Sequence, residues 1–306
     1  MKFKKILVTG FDRSNLDENV WARIQKSADK IVFKPEPDVD CLFSKFNKVD
    51  KKFIDSFPKL KYIGLLATGF GTVNVDYAKK KKITVCNIPG YATESVAEFV
   101  FGLILEHLRN LEKAKQVARQ GDFSGNGLSA YEIKEKQFGI IGLGRIGSRV
   151  AEIALGFGAK VSYWSKNRKK DMEKKGIKYE SINTLIPKCD FLSLHLSKAK
   201  ETEGILNKKR INSIKKRAVV INVAPMELVD ISALENRLKK DDMTFIFDHP
   251  DEMEKKDVEK LSQNRNCIVY PPIGFVTEEA RAIKQEIFFS NLENFLKGKP
   301  TNQVNP

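Results

Sequence analysis

The sequence predicts an α/β protein of 306 residues with parallel sheets, folded as two domains. Short apolar runs alternate with helix-like segments along the whole chain, which is the pattern of strand–helix–strand units. The length exceeds one ordinary core and suits two domains of about 100–200 residues each. A glycine-rich turn near the middle joins an apolar run directly to a helical pattern.

Residues 6–9 read as a first strand, stopped by Gly10. Residues 60–66 and 83–87 are further apolar runs of strand length. Residues 93–111 carry apolar side chains around most of a helical circumference, so this helix is expected between layers. The Gly-rich, polar stretch 116–133 reads as a connector. A second alternation follows, with strands at 138–141, 161–164, 191–196, 218–223, 244–247 and 268–270, and helices at 145–156 and 232–239. Pro271 and Pro272 stop the last strand, and Thr277 opens a final helix to residue 296.

Composition narrows the function classes. Hydrophobic residues make up 42% and charged residues 30%, a globular balance. No apolar run reaches the roughly 18–20 residues of a membrane span. The start is too short in apolar residues for a signal peptide. Cys41, Cys86, Cys189 and Cys267 form no CxxC pair and read as buried free thiols in a reducing compartment, so a cytoplasmic location is expected. The net charge is +15, but the lysines are spread in short runs with no nucleic-acid motif beside them. A solvated basic surface is expected, with no nucleic-acid and no membrane partner.

Gly142-Leu143-Gly144-Arg145-Ile146-Gly147 follows an apolar strand and opens a helix, the context that gives GxGxxG its meaning. Gly142 permits the tight turn, Gly144 admits a close-lying pyrophosphate, and Gly147 lets helix and strand pack closely. The free N–H groups of the helix start would bind the phosphates. A Rossmann-type dinucleotide site is therefore expected over Gly142–Gly147. A preference for NAD normally shows as Asp or Glu about 20 residues further on. Here the next strand ends in Ser165, Lys166, Asn167 and Arg168, with no carboxylate. Cations at that point suit a 2′-phosphate, so NADP(H) is expected over NAD(H).

The ordered segments ATGFGTVNVDYA, VCNIPGYATESVAE, IIGLGRIGSRVA, DFLSLHL, INVAPMELVD, FDHPDE and YPPIGFVTEEA resemble the D-isomer-specific 2-hydroxyacid dehydrogenases, glyoxylate/hydroxypyruvate reductases above all. The resemblance covers nearly the whole chain. It implies two Rossmann-like or flavodoxin-like domains, the cofactor domain (98–276) inserted into a discontinuous substrate domain (1–97 and 277–306). It also implies a homodimer acting on a small molecule. Asn222, Val223 and Asp248 match cofactor-side positions, with Asp248 facing the nicotinamide carboxamide. His195 matches the histidine of an otherwise altered segment. Thr68, Gly69 and Phe70 match the loop that holds a substrate carboxylate, and Tyr91, Thr93 and Ser95 flank the nicotinamide.

The catalytic positions depart from the family. Its arginine falls at Pro225, its histidine at Pro272, and its glutamate at Met253, or at Glu252 or Glu254 with a one-residue slip. Proline has neither an ionisable group nor a backbone donor. Losing a general acid costs about 10²–10⁴ in rate, and losing a charge-stabilising donor about 10²–10³. Little ordinary 2-oxo acid reduction is therefore expected. Glu252, His249 and Tyr131 are candidate replacement groups, whereas His107 reads as a packed helix residue. Two functions stay open: an NAD(P)-dependent oxidoreductase of a non-standard carbonyl, imine or alkene, and a catalytically inactive dinucleotide-binding sensor or scaffold.

Overall fold

A computed structural model describes residues 2–306. The chain divides into two compact units, residues 2–91 with 277–306, and residues 92–276. The division falls between Tyr91 and Ala92, where the sequence reading put it between residues 97 and 98. The helix Thr93–Arg109 is one continuous element, and it lies entirely in the second unit.

The first unit holds β1 (Phe3–Thr9), β2 (Ala28–Val32), β3 (Cys41–Ser44), β4 (Tyr62–Leu65) and β5 (Thr84–Cys86). They form one parallel sheet in the order β2-β1-β3-β4-β5. Alternate residues feed opposite layers. Ile6 and Val8 face the core completed by Phe288, Phe289 and Leu292 of the helix Glu278–Leu296, while Leu7 faces the other. Burial on both faces explains why β4 reads as a continuous apolar run.

The second unit holds β6 (Gln137–Ile141), β7 (Lys160–Trp164), β8 (Lys178–Tyr179), β9 (Phe191–Leu194), β10 (Val219–Asn222), β11 (Thr244–Phe247) and β12 (Cys267–Val269). These form a parallel sheet in the order β12-β11-β10-β9-β6-β7-β8. Phe245 and Phe247 pack on one face and Ile246 on the other. The helix Thr93–Arg109 lies on the second of these faces through Ala97, Val100 and Ile104.

Two expectations change. The stretch 116–133 is not wholly a connector, because Leu111–Arg119 is a helix that buries none of its residues. The sequence reading also passed over β2, β3 and β8. The last two are short, and β2 carries Asp29 and Lys30 at its centre. All four cysteines are buried and unpaired. Among the described residues no helix is long and apolar enough to cross a membrane.

Candidate active site

Strand order reverses at β6, which has β7 on one side and β9 on the other. The carboxyl ends of the strands at such a switch point frame the ligand crevice of open parallel sheets. The loop Gly142–Gly147 sits there. Gly142 has φ +100°, and a Cβ on it would meet the His195 carbonyl oxygen at 2.8 Å. A Cβ on Gly147 would stand 2.1 Å from the Gly142 carbonyl oxygen. Those two glycines are demanded by the protein's own packing. Gly144 is different: a Cβ there would meet nothing within 4 Å. Gly144 caps the helix Arg145–Gly156 without a side chain, so the first-turn N–H groups receive no cap from it. Leu143 is buried and anchors the loop, while Arg145 is exposed and Ile146 half-buried. The residues therefore fit a dinucleotide: Gly144, Arg145 and Ile146 would present backbone donors to its pyrophosphate.

At the end of β7, Ser165 is buried and its Oγ donates to the Asn167 carbonyl at 2.5 Å. Lys166 and Asn167 are exposed, with Lys166 only 3.8 Å from the exposed Glu201. Arg168 is not the free cation the sequence suggested. Its guanidinium forks onto Glu173, Nε donating to Oε1 at 3.0 Å and Nη2 to Oε2, and lies 5.1 Å from the Tyr179 ring centroid. The Tyr163 hydroxyl also donates to Glu173, at 2.8 Å. Arg168 first, and then Tyr163, hold the Glu173 carboxyl below the usual range. Sequence reasoning missed Glu173 because it lies beyond the strand end, on the short helix Lys170–Glu173.

His195, Asn222, Val223, Asp248 and His249 all follow or end strands at this same edge. The His195 Nε2 is 2.7 Å from Ser193 Oγ, and its buried Nδ1 has no partner. Burial pushes its pKa down to about 3, so the ring is neutral and cannot act as an acid at neutral pH. Asn222 is turned inward: its Oδ1 accepts from the Ala224 N–H at 3.3 Å and its Nδ2 lies 3.1 Å from Met226 Sδ. Val223 is half-buried against the core. Asp248 is 2% exposed, and burial pushes its pKa up to about 6, with His249 and the Gly274 backbone pulling the other way. Its Oδ1 has no hydrogen-bond partner and stands 3.5 Å from His249 Nε2.

Pro225 precedes the 3-10 turn Met226–Leu228 and is half-exposed. Pro272 is half-buried in the turn after β12, where Ser95 Oγ donates to the Gly274 carbonyl at 2.6 Å. Met253 packs against the second unit's core, and Glu252 is exposed on the 3-10 turn Pro250–Glu252. Of the three candidate replacement groups, the structure brings only His249 beside a buried carboxylate. Tyr131 lies elsewhere. It lines a groove of about 420 Å³ with His107, Phe191, Val219 and Thr244, at the amino ends of β9, β10 and β11. Its ring is 4.7 Å from the Arg217 guanidinium. It therefore faces the sheet edge opposite the glycine loop, because the strand Gln137–Ile141 has yet to cross the sheet when the chain passes Tyr131. His107 packs there as expected, its Nε2 3.2 Å from Thr244 Oγ1.

In the first unit, Thr68 Oγ1 donates to the Ile88 carbonyl at 2.9 Å and Asn87 Nδ2 donates to the Thr68 carbonyl at 2.6 Å. These bonds fix the loop after β4. Gly69 and Gly71 have open space where a Cβ would stand, and Phe70 is exposed. Backbone N–H groups in such a turn can hold an anion.

Two parallel α/β units, one with a glycine-bounded cradle at its switch point, define a dinucleotide-binding protein of Rossmann type. Residues 101–274 match the NAD binding domain of the D-isomer specific 2-hydroxyacid dehydrogenases. The chain belongs to this family of NAD-binding oxidoreductases. A glyoxylate reductase of Thermococcus litoralis is 35% identical over 268 residues, covering 85% of this chain and 81% of that protein. A hydroxypyruvate reductase of Blautia hydrogenotrophica is 31% identical, covering 88% and 85%. An acyclic imino acid reductase solved in complex with NADPH and D-Arg superposes with a TM-score of 0.84 at 27% identity, over 98% of this chain and 99% of that one. The D-lactate dehydrogenase of Aquifex aeolicus, complexed with NAD and lactic acid, gives 0.82 at 25% identity, over 99% of each chain.

Proposed function

We propose that this chain is an NADPH-preferring reductase with a divergent active site, acting on an imine or another activated C=X group rather than on ordinary 2-oxo acids. The observation that carries the reading is the chemistry at the three family positions. In this reading Pro225 and Pro272 stand at the family's arginine and histidine positions, and Met253, or with a one-residue slip Glu252 or Glu254, at its glutamate; Met253 packs against the second unit's core. When bound, the dinucleotide supplies a hydride. An imine nitrogen is far more basic than a carbonyl oxygen, so a single weak acid converts it to the iminium, whose own positive charge replaces the missing cation. The structural likeness to an acyclic imino acid reductase holding NADPH supports this choice.

In this reading Gly144, Arg145 and Ile146 bind the pyrophosphate through backbone N–H groups. Ser165, Lys166, Asn167 and Arg168 receive the 2′-phosphate, Arg168 by exchanging Glu173 for the ligand. His195, Asn222, Val223 and Asp248 line the cofactor side. His249 is the proton donor or acceptor, held by Asp248. Thr68, Gly69 and Phe70 bind the substrate. The catalytic unit is a cytoplasmic homodimer. The helix Leu111–Arg119 buries none of its residues, and Phe123 is 85% exposed nearby, which supports a partner surface on the second unit.

The test is NADPH oxidation by the purified protein with glyoxylate or pyruvate alone, and with each plus ammonia or methylamine. The expected result is a rate that depends on the amine and exceeds the keto acid alone by at least about 10²-fold. Equal rates with and without amine would sink the imine assignment. The paired prolines also favour a second reading, a non-catalytic dinucleotide sensor or scaffold. NADPH binding with no turnover on any of these substrates would select it.

A further inference from the structure

The carboxyl edge of the first sheet carries two cations that the assignment above does not use. Strand order reverses at β1, between β2 and β3, so the crevice of this sheet opens beside the ends of β1 and β3. Lys45 directly follows β3 and is half-buried, its Nζ 5.7 Å from the Phe46 ring centroid. Lys284 comes from the first part of the helix Glu278–Leu296, also half-buried, with its Nζ 5.8 Å from the Tyr91 ring centroid. Among the described residues neither ammonium has a carboxylate within ion-pair distance. The neighbouring cation is already committed, because Arg281 pairs with Asp17 at 2.6 Å, and Asp17 accepts from Gln285 as well.

An unpaired lysine in a half-buried position costs stability, since its charge is desolvated without compensation. Burial lowers the pKa of Lys284, and Lys45 and then Arg281 add repulsion. Two like charges at one sheet edge, with no internal anion between them, call for an anion from outside. The adjoining loop after β4 offers open backbone at Gly69 and Gly71.

We propose that Lys284 and Lys45 form the carboxylate site for the substrate, at the switch point of the first sheet. The inference rests on the reductase reading for its substrate class, a small 2-imino or 2-oxo carboxylate. Lys284 is the principal cation, and Lys45 reinforces it. The loop Thr68–Gly71 closes the site with backbone donors.

Oxalate, a small dicarboxylate that accepts no hydride, tests this by titration calorimetry on the full chain, with and without NADPH. Oxalate is expected to bind, and Lys284→Gln to weaken it by about ten-fold or more. Lys284→Arg should stay within about three-fold of wild type, and Lys45→Gln should lose a few-fold. Melting of Lys284→Gln should be unchanged or higher than wild type, because an uncompensated charge has gone. The proposal is overturned if wild type binds no oxalate, or if Lys284→Gln binds it as wild type does. Lysine-dependent oxalate binding without any NADPH turnover keeps this site and removes the reductase reading. Imine turnover with an unchanged KM in Lys284→Gln does the reverse.

Discussion

His249 Nε2 stands 3.5 Å from Asp248 Oδ1, a buried oxygen with no hydrogen-bond partner of its own. Burial raises the Asp248 pKa from an unfolded value near 3.8 to about 6. An acid raised on folding gives its full contribution to stability below the unfolded value, and loses it as pH climbs to the folded value. Stability should therefore fall as pH rises from about 4 to about 6. Asp248→Asn should flatten that slope in urea melts taken across pH 4–7. An unchanged slope would mean that Asp248 is solvated in solution.

The same pair predicts a catalytic effect. His249→Gln should lower amine-dependent NADPH oxidation by about 10²-fold with little change in NADPH affinity. Loss of NADPH binding in step with the rate would assign His249 to the cofactor instead.

Glu173 occupies the Arg168 fork that a 2′-phosphate would need. Glu173→Gln should tighten NADPH binding several-fold and leave NADH unchanged, because an anionic competitor is removed. Arg168→Ala should cancel that gain. Fluorescence titration reads both. A Glu173→Gln protein that gains equally for the two cofactors would show that Arg168 does not discriminate.

The glycines of the loop should separate by role. Gly144→Ala meets open space, so the fold should survive while dinucleotide binding is lost. Gly147→Ala would place a carbon 2.1 Å from the Gly142 oxygen, and should lower the melting temperature as well. Calorimetric melts beside NADPH titrations distinguish the two. Intact NADPH binding by Gly144→Ala would argue against a phosphate lying over that carbon.

In the proposed reading, Pro225 and Pro272 stand at the family's arginine and histidine positions. Pro225→Arg with Pro272→His is expected to raise glyoxylate reduction by at least about 10²-fold over the parent chain. Steady-state assays would show it. Met253→Glu should instead destabilise the second unit, since that side chain packs on its core.

The parts of the fold legible in the sequence are those written in local chemistry. The glycine loop needed only the strand before it and the helix after it. The central strands of the second sheet announced themselves as apolar runs because both faces are covered. Strand β2 did not, since Asp29 and Lys30 interrupt it and its pairing with β1 brings together residues such as Phe3 and Ala28 that lie far apart along the chain. Site residues divide in the same way. Gly142 and Asp248 could be placed from their neighbours. The clamp on Arg168 could not, because it depends on a helix turn that points Glu173 back at the strand end. The position of Tyr131 depends on which edge of the sheet the incoming chain reaches first. Lys284 is harder still: it meets Tyr91 only when the chain's last helix returns to a unit the chain left at Tyr91.

That return has a consequence during synthesis. Residues 92–276 are contiguous and hold both faces of their own sheet, so they can mature while the last segment is still being made. Residues 2–91 cannot. Their strands wait for Phe288, Phe289 and Leu292 to cover one face, and for Asn291 to donate to the Asn87 carbonyl at 2.7 Å. Until the last helix arrives, the nascent amino-terminal segment covers that face only with Leu16 and with Val20, Trp21 and Ile24 of the helix Glu18–Lys26, so part of its apolar surface stays open.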